Sequence, residues 1–115
     1  MLVVDDHPSF RATARAVLEA DGFVVVGEAR DGREALELAG ELHPEIVLLD
    51  VQLPDLTGFE VAERLASRNG ASPSIVLVSS RDAADYGGLI ADCGALGFVP
   101  KGELSGAAVR ALIRD

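Results

Sequence analysis

The chain has 115 residues, of which 49% are apolar and 25% charged, a composition typical of one compact globular domain rather than a disordered segment. Its formal net charge is −9 at pH 7. That acidity disfavours direct binding to nucleic acid or to an anionic membrane, both of which need clustered basic residues, so the expected partners are proteins or cations.

Short apolar runs alternate along the chain with longer segments in which apolar residues recur every three or four positions. This alternation is typical of repeated βα units around a parallel sheet, the α/β class. The first predicted strand is Leu2–Val4, and the first helix begins at Pro8, a favoured first-turn residue, and ends before Gly22. A second strand is predicted at residues 23–26 and a second helix over Gly32–Leu42.

The middle of the chain continues the same pattern. A third strand is predicted at residues 46–49, a third helix from about Gly58 to Arg68, and a fourth strand at residues 75–78. The third and fourth strands are nearly continuous Val, Ile and Leu, as expected when helices cover both faces of a sheet.

The last part of the chain contains one weak element. A fourth helix within residues 83–93 should be short or mobile, because Gly87 and Gly88 lie in its middle and each costs up to about 1 kcal/mol relative to Ala. A strand at residues 96–99 and a helix from about Leu104 complete the pattern. The helix positions expected to face the sheet are Phe10, Ala14, Val17, Leu18, Ala35, Leu36, Ala39, Phe59, Ala62, Leu65, Val109, Leu112 and Ile113.

One domain accounts for residues 1–115, and we expect no output domain in the chain. The single cysteine, Cys93, cannot form an intrachain disulfide and is expected to be a small buried hydrophobe. No apolar run is long enough to cross a bilayer and no secretory signal opens the sequence. We therefore expect a cytoplasmic protein that does not associate with a membrane.

Polar residues follow the predicted strands at their carboxyl ends, the edge where open parallel sheets bind ligands. Asp5 and Asp6 follow the first strand, Asp50 the third, Ser79 the fourth, and Lys101 comes shortly after the fifth. Gathered carboxylates either raise their pKa values or recruit a hard cation such as Mg²⁺. Such a pocket suits phosphoryl transfer to a carboxylate, which depends on positioning and charge neutralisation. Lys101 is the only lysine in the chain, which favours a role for its compact charge.

Four short motifs occur in order on this pattern: Val3-Val4-Asp5-Asp6, Val47 to Pro54 with Gly58 following, Val78-Ser79-Ser80, and Gly97 to Lys101. In order and spacing they resemble the motifs of response regulator receiver domains of two-component signalling systems. The resemblance covers essentially the whole chain. It implies a single doubly wound (βα)5 domain of flavodoxin-like fold, with a five-stranded parallel sheet in the order 2-1-3-4-5.

The resemblance also implies a phosphoacceptor and a metal site. Asp50 would be the phosphoacceptor, which takes the phosphoryl group from a sensor histidine kinase or a histidine phosphotransfer protein. Asp5, Asp6, Asp50 and the backbone carbonyl of Gln52 would surround Mg²⁺. Such a domain is a signalling switch that catalyses only its own phosphorylation and dephosphorylation.

By the same resemblance, Lys101 and Ser79 would contact the phosphoryl group. Ser79 and Phe98 would form a switch pair that reshapes a protein-interaction face. A phosphorylation-dependent homodimer is expected. The output stays open between a stand-alone regulator and the receiver part of a transcriptional regulator. Gly102 follows Lys101, and Pro100 precedes it, where the family commonly has proline after the lysine.

Simpler interpretations exist for several of these residues. Asp5 and Asp6 could cap the first helix, Lys101 could be an ordinary surface lysine, and Phe98 could serve only core packing. His7 and His43 lie far apart in sequence and lack ligand spacing, so no metal or phosphohistidine role is expected for either.

Two alternative functions remain beside the receiver hypothesis. The altered loop around Gly102 and the weak fourth helix would suit a receiver-fold module that binds partners without phosphorylation. A free-standing phosphatase with Asp50 as nucleophile is disfavoured, because Gln52 stands where a second aspartate would act as the acid.

Overall fold

The computed structural model describes residues 1–67 and 72–113. Two 3₁₀ turns cover Ala83–Tyr86 and Lys101–Glu103. The strands and helices in chain order are β1 (Leu2–Val4), α1 (Pro8–Ala20), β2 (Gly27–Ala29), α2 (Gly32–Leu42), β3 (Ile46–Asp50), α3 (Gly58–Ala66), β4 (Ser74–Ser79), α4 (Leu89–Asp92), β5 (Gly97–Pro100) and α5 (Gly106–Ile113). None of the helices in this described part of the chain has the length and hydropathy needed to cross a bilayer.

The sheet confirms the predicted doubly wound α/β fold. Its five strands are all parallel and lie in the order β2-β1-β3-β4-β5. Alternate residues of each buried strand pack on opposite faces: Leu2 and Val4 belong to the core that includes α2 and α3, and Val3 belongs to the core that includes α1 and α5. Because the strands are parallel, all their carboxyl ends meet at one edge of the sheet.

The helix predictions are confirmed for α1, which begins at Pro8, and for α2, which has the predicted bounds. The third helix begins at Gly58 as predicted, where Thr57 and Glu60 form a reciprocal cap, and it ends at Ala66. Its predicted last residue, Arg68, lies outside the described residues. The sheet-facing positions that are buried are Ala14, Leu18, Ala35, Ala39, Phe59, Ala62, Leu65 and Val109. Those that are half-buried are Phe10, Val17, Leu36, Leu112 and Ile113.

The prediction of the second strand is wrong, since β2 covers Gly27–Ala29 and follows the predicted residues 23–26. The Val26 N–H donates a hydrogen bond of 2.9 Å to the Met1 carbonyl, directly ahead of the β1 ladder. Val24 and Val26 are 72% and 47% exposed. A run of β-branched residues predicts extended backbone, but the partner strand decides where pairing begins.

Smaller corrections concern the last two elements. The fifth strand begins one residue later than predicted and ends at Pro100, which an edge strand tolerates because one side of its backbone is unpaired. The last helix begins at Gly106 rather than near Leu104. Ser105 caps it, since its Oγ accepts a hydrogen bond of 3.0 Å from the Ala108 N–H.

The fourth helical segment is short, as predicted. It consists of the 3₁₀ turn Ala83–Tyr86 and the four-residue α4, separated by Gly87 and Gly88. Gly87 has a φ of 56°, a backbone conformation that favours glycine. Neither piece contains a fully buried residue.

Candidate functional site

Four strand ends bring the predicted site residues to one edge of the sheet. Asp5 directly follows β1, Asp50 and Ser79 are the last residues of β3 and β4, and Lys101 directly follows β5. The backbone at Asp50 is closely packed, because a Cβ on Gly58 would overlap the Asp50 carbonyl oxygen. The start of α3 is therefore held against the end of β3.

Lys101 links two buried carboxylates. Its Nζ lies 2.6 Å from Asp5 Oδ2 and 3.4 Å from Asp50 Oδ2. The ammonium group also lies 4.5 Å from the centroid of the Phe10 ring, within the range of a cation–π contact. The Lys101 side chain is only 18% exposed. The interpretation as an ordinary surface lysine is therefore wrong.

The two carboxylates are almost completely buried, Asp5 at 0% and Asp50 at 3% exposure. Burial and the nearby negative charge of Asp5 raise the pKa of Asp50 to about 6, against the opposing attraction of Lys101. Burial alone would lower the pKa of Lys101, but the carboxylates of Asp5 and Asp50 outweigh it and raise that pKa. Lys101 is thus held as a cation beside carboxylates that repel each other.

The same edge has a donor set that fits a hard divalent cation. One ligand atom each from Asp5, Asp6, His7 and Asp50 lies within 4.8 Å of the others. Asp5 Oδ2 is fully buried, and the ion pair with Lys101 compensates its charge. An excess of carboxylate oxygen in a partly open pocket is the environment that Mg²⁺ prefers.

A cleft of about 260 Å³ opens over this cluster. Gln52 lies at its rim, and the Gln52 N–H donates a hydrogen bond of 3.3 Å to Asp50 Oδ1. Neither Asp5 nor Asp6 caps α1, since the residue at the start of that helix is His7. The residues that line the cleft are Asp6, His7, Asp50, Gln52, Leu53, Pro54, Ser80 and Lys101.

The Ser79 hydroxyl is not directed into this cleft. Ser79 is 1% exposed, and its Oγ lies 2.7 Å from the Tyr86 hydroxyl. The Arg81 N–H donates a second hydrogen bond of 3.1 Å to the same oxygen. Phe98 is half-buried, and its ring centroid lies 5.9 Å from that of Tyr86. Both members of the predicted switch pair, Ser79 and Phe98, therefore contact Tyr86.

Three residues that the sequence did not assign to the site, His7 among them, contact it in the structure. His7 Nδ1 lies 3.1 Å from both Asp5 Oδ1 and Asp6 Oδ1, and its position directly after two aspartates was the available signal. Arg11 donates a hydrogen bond of 2.6 Å to the Asp5 carbonyl, which holds the loop after β1. No local pattern points to Tyr86, which is the only tyrosine in the chain.

His43 and Cys93 lie away from the site. His43 follows α2 and borders a depression with Met1 and Ile46, at the opposite edge of the sheet. Cys93 is 4% exposed and belongs to the core beside α2 and α3, as predicted for a small buried hydrophobe.

The fold and the site define a class: a doubly wound α/β domain with an acidic pocket and a buried lysine at the carboxyl edge. The family model described as response regulator receiver domain matches residues 1–113. The chain belongs to this family. Its members are signalling switches of two-component systems and are not generally classed as enzymes. Receiver domains bind Mg²⁺ at an acidic pocket, and this chain has such a cluster of aspartates.

Similar proteins of known name are bacterial regulators. The chain is 36% identical over 103 residues to BvgA of Bordetella pertussis, which is named as a transcription regulator of virulence factors, and this match covers 90% of the chain and 49% of BvgA. It is 36% identical over 102 residues to the DNA-binding transcriptional activator EvgA of Escherichia coli K12, covering 89% of the chain and 50% of EvgA. The chain thus spans about half the length of these curated relatives.

A solved structure agrees with the fold. The signal receiver domain of a response regulator from Mycobacterium tuberculosis named NarL superimposes with a TM-score of 0.85 at 34% sequence identity. The superposition covers 96% of this chain and 93% of that one. The flavodoxin-like fold is therefore shared over almost the whole length of both.

Proposed function

We propose that this receiver domain takes a phosphoryl group onto Asp50 from the phosphohistidine of a sensor histidine kinase or a histidine phosphotransfer protein. The observation that carries the proposal is the burial of Asp50 against Asp5 and Lys101 at the floor of an open cleft. In the transfer, an Asp50 carboxylate oxygen attacks phosphorus, the phosphorus–nitrogen bond breaks, and the imidazole leaves as the neutral ring after taking up a proton.

The acidic residues fit a role in holding Mg²⁺. Asp5, Asp6, Asp50 and the backbone carbonyl of Gln52 would bind it. When bound, Mg²⁺ would supply positive charge to the phosphoryl oxygens. Without a cation, three carboxylates and an incoming phosphoryl group would repel one another, so the acidic cluster couples metal binding to phosphoryl transfer.

Lys101 would hold a second phosphoryl oxygen. Its Nζ is already 3.4 Å from Asp50 Oδ2 and is fixed by Asp5 and the Phe10 ring. A preorganised ammonium group requires little rearrangement when charge arrives, which is the way enzymes stabilise phosphoryl transfer. Ser79 would donate a hydrogen bond to a further phosphoryl oxygen, and Phe98 would repack with it to alter the protein-interaction face.

The output of the switch is proposed from the relatives. EvgA is named a DNA-binding transcriptional activator and is about twice as long as this chain. We extend a role in transcription regulation to the protein, with DNA contacts made outside residues 1–115, since these carry a net charge of −9. A phosphorylation-dependent homodimer would couple phosphorylation of the receiver domain to DNA binding. Sedimentation with and without a phosphoryl mimic measures the molecular mass and so tests for the dimer. An unchanged molecular mass after activation would contradict the dimer.

The central experiment incubates the protein with a small phosphodonor and Mg²⁺ and measures its intact mass. Wild type should gain one phosphoryl group and Asp50→Asn none. Asp92→Asn, which alters an exposed aspartate on α4, is the matched control and should gain the group as wild type does. If wild type gains nothing, or Asp50→Asn gains as much, the proposal is wrong. A protein that neither gains the group nor binds Mg²⁺ would favour a partner-binding module that works without phosphorylation.

A further inference from the structure

The Ser79 hydroxyl has a specific partner on a neighbouring element. Ser79 Oγ and the Tyr86 hydroxyl are 2.7 Å apart, and Ser79 is 1% exposed. The cleft over Asp50 is lined by Ser80 but not by Ser79. A Ser79 hydroxyl that turned towards a phosphoryl group on Asp50 would therefore leave Tyr86.

Tyr86 is in turn held on both sides of its ring. The ring lies edge-on to Phe59 at 5.4 Å between centroids and is tilted against Phe98 at 5.9 Å. Phe59 belongs to α3, and Phe98 belongs to β5. The tyrosine thus joins the hydroxyl at the end of β4 to the aromatic residue of the predicted switch pair.

The backbone around Tyr86 is lightly packed. Tyr86 is the last residue of the 3₁₀ turn Ala83–Tyr86, in which no residue is fully buried, and Gly87 and Gly88 follow it. A Cβ on Gly87 would meet no atom within 4 Å. Segments with few buried contacts and adjacent glycines are the ones that open most easily. The contacts of Tyr86 are therefore a large part of what attaches this turn to the sheet.

We propose that Tyr86 is a positioning residue that holds Ser79 in the unphosphorylated arrangement, and that activation exchanges the Ser79–Tyr86 hydrogen bond for one from Ser79 to the phosphoryl group. The exchange frees the turn Ala83–Tyr86 and lets the Phe98 ring repack. This inference rests on the proposed phosphorylation of Asp50. Because the Ser79–Tyr86 bond exists only in the inactive arrangement, it opposes activation by a population shift.

Tyr86→Phe tests the exchange, since it removes the hydroxyl and keeps the ring between Phe59 and Phe98. Binding of beryllofluoride, a phosphoryl mimic, is measured by calorimetry at saturating Mg²⁺. The variant should bind about 2- to 10-fold more tightly than wild type, the equivalent of one hydrogen bond lost from the inactive state alone. Unchanged or weaker binding would overturn the inference.

Ser79→Ala provides the matched background. With no hydroxyl at position 79, Tyr86→Phe should leave beryllofluoride affinity unchanged, whereas a general loosening by the substitution would alter affinity in both backgrounds. Equal effects in both backgrounds would overturn the exchange. If wild type itself does not bind beryllofluoride, the proposed function fails and the inference falls with it. If wild type binds and Tyr86→Phe has no effect, the inference alone fails.

Wild type contains its own reporter for the same event. Tyr86 is the only tyrosine and the chain has no tryptophan, so tyrosine emission reports on this side chain alone. Adding beryllofluoride to the Mg²⁺-saturated protein should change the tyrosine emission as the hydroxyl loses Ser79. Emission that stays constant while calorimetry shows saturation would contradict the exchange.

Discussion

At the scale of single residues, the site brings two buried carboxylates to one ammonium group. Asp5 and Asp50 are 0% and 3% exposed, and Lys101 contacts both. One positive charge cannot fully compensate two negative charges that have lost their hydration. The pKa of Asp50 is raised to about 6 for this reason, first by burial and then by the charge of Asp5. The fold therefore accepts a local cost in stability to keep this carboxylate buried beside the cleft.

Replacing Asp50 with asparagine should stabilise the metal-free protein at pH 7. The folded-state pKa of Asp50 is above the value of 3.8 for a free carboxyl. The contribution of Asp50 to the stability of the folded state therefore falls as pH rises from about 4 to about 6. Asn cannot ionise, so the advantage of Asp50→Asn should be small at pH 4, grow through this window, and reach on the order of 2 kcal/mol at pH 7. Urea unfolding over this pH range measures it.

Asp55→Asn is a control that should change the free energy of unfolding in the opposite direction to Asp50→Asn. Asp55 accepts hydrogen bonds from the Gly32 and Arg33 N–H groups at 2.8 and 2.9 Å. Although burial acts the other way, these amides lower the pKa of Asp55, so its ionised form favours the folded state. Asp55→Asn should lower stability at neutral pH. An Asp50→Asn protein that is less stable than wild type at pH 7 would contradict the assigned charge balance.

At the scale of elements, the helical segment between β4 and β5 is only lightly buried. The four-residue α4 and the 3₁₀ turn before it contain no fully buried residue, whereas α3 buries five. Tyr86 and Ile90 are partly buried and pack against the core beside α2 and α3. An element with so little burial can change its position without disturbing the sheet, which suits an output surface.

Replacing each of the two adjacent glycines of this segment with alanine should change the free energy of unfolding in opposite directions. Gly88 has helical backbone angles and only an ordinary 3.5 Å contact for a new Cβ, so Gly88→Ala should raise the free energy of unfolding by about 0.5 to 1 kcal/mol. Gly87 has a φ of 56°, so Gly87→Ala should lower it by about 1 to 3 kcal/mol through backbone strain. Chemical denaturation compares the two, and effects of the same sign would contradict the described backbone.

At the scale of the whole molecule, both the overall negative charge and the acidic pocket attract cations. The chain has a net charge of −9, and the pocket itself has an excess of carboxylate groups. The electrostatic field of the protein therefore attracts divalent cations. A cation bound in the pocket would offset both the local repulsion and part of the overall charge. Mg²⁺ should therefore stabilise the fold beyond the general effect of salt.

Mg²⁺ at ten times its dissociation constant should raise the free energy of unfolding by about 1.4 kcal/mol. Thermal melts in MgCl₂ and in NaCl of equal ionic strength separate specific binding from screening. Asp6→Asn should lose most of the specific effect. Glu41→Gln, which removes an exposed carboxylate near the end of α2, should keep it. A wild-type melt that is the same in both salts would show that the pocket does not select Mg²⁺.

The sequence by itself determined the βα order and which residues follow the strands, whereas the strand order 2-1-3-4-5 was implied by the resemblance to receiver domains. The alternation of apolar runs and helical periodicity predicted the βα order, and parallel strands necessarily bring their carboxyl ends to one edge. The sequence therefore predicts that Asp5, Asp50 and Lys101 lie at the same edge of the sheet. The break at Gly87 and Gly88 was also readable, because it depends on the backbone preferences of the residues themselves.

The tertiary structure alone decided what depends on partners distant in sequence. Pairing with β1 decides where β2 begins, so the valines of residues 23–26 did not predict its first residue. Side-chain direction was equally unreadable: Ser79 lies at the predicted edge, yet its hydroxyl meets Tyr86. Residue types and spacing report which edge a side chain reaches. Only packing of the surrounding elements decides which neighbour it then contacts, because rotamers are selected by the space that those elements leave.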